Sequence, residues 1–75
     1  MLFTDSEPAI AELVLVEGLT LTEASRRANV DKSTAGTAKA AILAKLRIIG
    51  IDTDNVPLVA DVVRTLLTRQ RQLAA

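Results

Sequence analysis

The Asn29-Val30 pair constrains this chain more than any other feature, because it separates two helix-forming stretches by too few residues for a loose loop. Upstream, Leu21 to Ala28 reads as a short helix. Thr20 is its N-cap, and Glu23 three residues later completes a capping box. Ala24 and Ala28 share one face of it, with Leu21 a turn earlier. Downstream, a long helix opens at Asp31 and can run to Ile49, where Gly50 ends it. At about 100° per residue, Ala35, Ala38, Ile42, Leu46 and Ile49 fall on one side of that helix. Ser33, Thr37, Ala40, Ala44 and Arg47 fall on the other, with Gly36 beside them. Asn29 tolerates the left-handed backbone that a sharp turn between the two requires.

The flanks also read as helices. Glu7 to Glu17 has Asp5 or Ser6 as a cap, Pro8 in the first turn and Gly18 as a stop, with a stripe of Ile10, Leu13, Val14 and Glu17. Val56 to Leu73 follows an Asp54 or Asn55 cap and carries a broad double stripe of Leu58, Val59, Val62, Val63, Leu66 and Leu67. Period-2 alternation is absent, so the expected fold is all-α: one four-helix domain over residues 1–75.

Composition narrows the function classes. A chain of 75 residues buries only about 60% of its unfolded surface, and with no cysteine it has no disulfide to help. Close helix packing or oligomerisation must make up the difference, and an apolar content of 49% allows either. The absence of both histidine and cysteine removes the usual general base, the activated thiol and the common zinc ligands. An enzyme is therefore not expected, nor a metal or cofactor. Phe3 is the only aromatic residue, which disfavours single-strand or RNA binding by base stacking. No apolar run reaches the roughly 18 residues of a membrane span, and no basic segment leads into an apolar one, so a soluble cytoplasmic protein is expected.

Net charge is zero, but it is distributed in blocks. Residues 1–23 carry five acids and no base, whereas residues 24–47 carry six bases against Asp31 alone. Residues 48–63 are acidic again and the tail is basic. A phosphate backbone responds to local potential over roughly a Debye length, about 10 Å at 0.1 M salt, so the middle block matters more than the sum. That block coincides with the two helices around Asn29. Small Ala24 and Ser25 stand where the helices cross, Asn29 takes the turn, Val30 plugs it, and Ala35 and Ala38 point inward. These are the requirements of a helix-turn-helix, with a polar helix start left facing outward for a DNA groove.

The stretch Glu17-Gly-Leu-Thr-Leu-Thr-Glu-Ala-Ser-Arg-Arg-Ala-Asn-Val-Asp-Lys-Ser-Thr-Ala, continuing to Ile42-Leu-Ala-Lys-Leu, resembles the LuxR/GerE-type helix-turn-helix and region four of sigma factors. The match spans about residues 10–48. The lead-in is also similar to that of the KorA (TrfB) plasmid repressor family. Ala28, Asn29 and Ala35 stand where the larger families favour Leu, Gly and Val, and predict a looser hinge. The acidic loop before the last helix departs from both.

The resemblance implies double-stranded DNA as the partner. Lys32, Ser33, Gly36, Thr37 and Ala40 then fall on the groove-facing surface. Lys32, Ser33, Thr34 and Lys39 suit phosphate contacts, and Ser33 and Thr37 could hydrogen-bond base edges. Small Gly36 and Ala40 permit close approach. Ser33 and Thr34 could equally cap their own helix. Arg26 and Arg27 suit either phosphate contact or a solvated face, and Lys45 packs its stem at the helix edge. No Arg or Gln on this face reads a base bidentately, so one copy should bind weakly. A homodimer is expected, joined through Val59, Val62, Val63, Leu66 and Leu67 on a dimerisation helix of residues 56–73, unless those residues close the monomer's own core. The functional expectation is a transcriptional regulator, a repressor of the kind plasmids or phages encode. The alternatives are an assembly or DNA-recognition subunit of a phage or mobile-element complex, and a helical adaptor that never touches DNA.

Overall fold

The computed structural model describes residue 3 and residues 6–74, and these form an all-α domain. In chain order, α1 (Glu7–Ile10) runs directly into a π-helical stretch (Ala11–Val16), followed by α2 (Leu21–Ala28), α3 (Lys32–Ile48) and α4 (Val56–Ala74). No helix among the described residues is long and apolar enough to cross a membrane.

The first helix keeps its expected extent but changes its winding. Pro8 sits in the opening turn, and the Glu17 amide reaches back five residues to the Glu12 carbonyl at 2.9 Å. Gly18, at φ +77°, ends the helix. Ser6 occupies the N-cap position without a side-chain cap bond, and Asp5 lies outside the described residues. The wide winding suits the sequence here, because Leu13-Val14-Leu15-Val16 is apolar all round and all four side chains are half-buried. This segment contacts α2, α3 and α4, so it has no single solvent face to preserve. Glu17, expected on the inward stripe, is exposed.

The α2–α3 and α3–α4 corners close with the same device. After α2, Asn29 adopts φ 57° and ψ 47°; its amide bonds to Arg26 at 3.2 Å while the Val30 amide bonds to Ser25 at 3.0 Å. After α3, Gly50 takes φ +86° and the amides of Gly50 and Ile51 bond to Arg47 and Leu46, each at 3.0 Å. These paired bonds satisfy terminal carbonyls that a helix end otherwise leaves open. The second corner explains one departure from expectation. Because α3 stops at Ile48, Ile49 leaves the helical register, and it is 53% exposed instead of completing the core stripe.

At the N-termini, Thr20 Oγ1 accepts from the Glu23 amide at 3.2 Å, the first of the two bonds of a capping box. Asp31 has the extended cap backbone but makes no side-chain cap bond. For α4 the cap is Asn55, whose Oδ1 accepts from the Leu58 amide at 3.2 Å. Asp54 is instead folded into a turn in which its own amide donates to Asp52 Oδ1 at 3.0 Å.

The core is built from Phe3, Ile10, Ala11, Ala24, Ala35, Ala38, Ile42, Leu46, Val59, Val63 and Leu67. Burying each large aliphatic side chain contributes about 1.5–3 kcal/mol, and the alanines let α2 and α3 approach closely. Three polar contacts fasten the layers from outside. Gln70 pairs with both main-chain groups of Phe3, at 3.2 and 3.0 Å. Lys45 bonds Glu7, and Arg71 reaches Glu12 at 2.6 Å.

Val59, Val63 and Leu67, expected at a dimer interface, are therefore inside the monomer. They are the side chains α4 turns toward the first helix, and leaving them outside would open the core. Only Val62 and Leu66 of the expected interface lie at the surface, each half-buried.

Candidate nucleic-acid interface

The α2–α3 corner is held by small side chains on its inner side. Ala24 and Ala35 are fully buried where the helices meet, and Ser25 satisfies its hydroxyl by donating to the Thr22 carbonyl at 2.8 Å. No buried side-chain nitrogen or oxygen among the described residues lacks a partner. The corner is closed by the two bonds at Asn29 and Val30, with no glycine needed at the left-handed position.

The outer side of α3 is polar and open. Lys32, Ser33, Thr34, Thr37 and Ala40 are all exposed. Asp31 makes no side-chain cap bond at the first turn of α3, and Ser33 and Thr34 are exposed beside that turn. Gly36 lies at the edge, half-buried beside α2, and a methyl group there would meet Leu21 Cδ1 at 3.9 Å, an ordinary contact. Its smallness is therefore not demanded by packing within the chain.

Lys39 does not belong to this face. It is half-buried on the flank of α3 and lines an apolar cleft of about 470 Å³ with Val16, Leu19, Leu43 and Pro57. The reason is register: position 39 is one turn beyond Ala35, on the inward side of the helix, not a turn beyond Ser33.

Part of the basic block is engaged by other side chains of the protein. Lys45 is committed to Glu7, and Arg47 Nε donates to Thr53 Oγ1 at 3.1 Å. Arg26 has a loose contact with Glu23 at 3.8 Å, with both side chains largely exposed. Such a pair contributes little, so Arg26 stays available to an external anion. Arg27 and Lys32 are exposed and form no ion pair among the described residues. The cations that flank the open face are thus Arg26, Arg27 and Lys32, grouped at the end of α2 and the start of α3.

A feature missed in the sequence borders the face on its other edge. Ser6 and Glu7 approach Ser33, Thr34, Thr37 and Ala41 to form a shallow groove of about 300 Å³. A carboxylate beside a polyanion would repel it. The Lys45 ammonium holds that carboxylate and offsets its charge. Among the described residues, no three acidic side chains gather into a metal-sized cluster.

No protein-family model, curated protein or solved structure matches this chain.

Proposed function

We propose that this protein is a sequence-specific double-stranded DNA-binding transcriptional regulator, a repressor acting as a dimer, which lays the outer face of α3 in the major groove. One observation carries the reading: Ser33, Thr37 and Ala40 stand exposed on a helix whose opposite side is locked by Ala24 and Ala35 through a tight left-handed turn. A rigid helix with a small, polar, outward face can enter a groove without first rearranging.

The division of labour follows from chemistry. Lys32 and the first-turn amides of α3 meet backbone phosphate, with Arg26 and Arg27 on the adjoining strand. Ser33 and Thr37 hydroxyls exchange hydrogen bonds with base edges, and the Ala40 methyl packs against a thymine methyl. None of these is a bidentate reader, so two copies on two half-sites are required for useful affinity. Lys39 and Gly36 are left out of base contact.

Gel-shift selection on random duplex DNA tests this. The wild type is expected to enrich a defined sequence, and Thr37→Glu to enrich none, because its carboxylate faces base acceptors and phosphate. Equal and sequence-independent retention of both proteins overturns the proposal. Arg27→Gln is expected to weaken binding across all sequences and to reduce the salt slope by about one.

A further inference from the structure

α4 carries two apolar stripes: one is buried in the core, and the other borders it, with Val62 and Leu66 packed against the core from its edge. Val59, Val63 and Leu67 point inward. Leu58, Val62, Leu66 and Leu73 fall beside them within about 80° of arc, at about 100° per residue. Val62 and Leu66 are half-buried, while Leu58 and Leu73 are 37% and 84% exposed. Four large aliphatic side chains aligned along one edge of a surface helix form a patch that isolated exposed residues do not.

Two pairs of residues on this side of the helix are centred on nearly the same point. Leu58 lies seven residues before Thr65, and Leu73 lies seven after Leu66. Asp61 lies four residues before Thr65, and Arg69 four after it. At that midpoint, Asp61, Val62, Thr65 and Leu66 line a shallow depression of about 220 Å³.

We propose that a second copy of this chain docks on this stripe, α4 against α4 and antiparallel, about a two-fold axis at Thr65–Leu66. The proposal rests on the dimeric reading above but not on DNA recognition. A two-fold interface must be self-complementary, each contact occurring twice. Antiparallel pairing meets that condition: Leu58 meets Leu73 of the second copy, Leu66 enters the opposing depression, and Asp61 faces Arg69. Parallel pairing would set Asp61 against Asp61 and Arg69 against Arg69, so charge selects the direction. Asp61 already bonds Arg64 at 3.2 Å, but both side chains are mostly exposed, and a pair of that kind yields readily to a better-shielded one.

The absence of cysteine makes the geometry directly testable on the full chain. Sedimentation of the wild type without DNA is expected to show a monomer–dimer equilibrium. Leu66→Lys, with its helicity checked by circular dichroism, should weaken it at least about tenfold. Asp61→Arg should weaken it less, and adding Arg69→Asp should restore it. Under mild oxidation, Thr65→Cys should form a disulfide-linked dimer. Leu58→Cys alone should not, whereas Leu58→Cys combined with Leu73→Cys should. A wild type that is monomeric at every concentration overturns the proposal, as does a dimer that Leu66→Lys leaves intact. Crosslinking by Leu58→Cys alone overturns the antiparallel arrangement. Because no DNA is present, these outcomes decide the pairing independently of the gel shift.

Discussion

The two long helices, α3 with 17 residues and α4 with 19, differ in what they do with the side turned away from the core. Each commits one aliphatic stripe inward: Ile42 and Leu46 on α3, Val59, Val63 and Leu67 on α4. On α3 the opposite side is small and hydroxylated, with Ser33, Thr37, Ala40 and Ala44. On α4 a second aliphatic row stands next to the first. Helices under the same demand from the core have thus acquired outer surfaces of contrary chemistry. One suits a polar, hydrated ligand and the other an apolar one.

The largest expected effects should be alike on the two helices. Ile42→Ala on α3 and Val63→Ala on α4 each remove fully buried volume, and each should lower stability by about 2–4 kcal/mol in urea unfolding. If only one is costly, the shared-core half of the comparison is broken. The next effect should separate them. Thr37→Glu on α3 should reduce DNA retention at least tenfold, about 1.4 kcal/mol, while leaving the unfolding midpoint within about 0.5 kcal/mol of wild type. A matching loss of stability would mean that this face is structural.

Smaller effects sharpen the comparison at the corners that aim the helices. Gly50→Ala forces a Cβ into a left-handed residue with no atom nearby to clash, so only the backbone preference is lost, about 1 kcal/mol by thermal unfolding. Asn29→Ala should cost about the same. Asn29→Gly should change stability by no more than about 0.5 kcal/mol, because both residues accept φ 57°.

What could be read in advance was what neighbours in sequence decide. The span of α2, its Thr20–Glu23 cap and the left-handed Asn29 all depend on residues within a turn or two of each other, and all stand as expected. The outward placement of Ser33 and Thr37 follows from helical period alone. The sequence did not show Phe3 sealing the core against Gln70, 67 positions away, or Lys45 answering Glu7 across 38. Contacts at such separations leave no periodic mark. The π-helical winding escaped for another reason: a continuous run such as Leu13 to Val16 fits either winding. On α4, two adjacent stripes give no local sign of which one the core takes, so the sequence leaves Val59, Val63 and Leu67 open between a dimer interface and the core, and the fold places them in the core.

The clamp between Gln70 and Phe3 also bears on how the molecule is made. An emerging chain can wind α2 and α3 as soon as they clear the ribosome, yet the site that receives Phe3 does not exist until the last turns of α4 follow. Closure of this interior thus waits on a contact between residues 67 positions apart, and until it forms the Phe3 side chain stays in water.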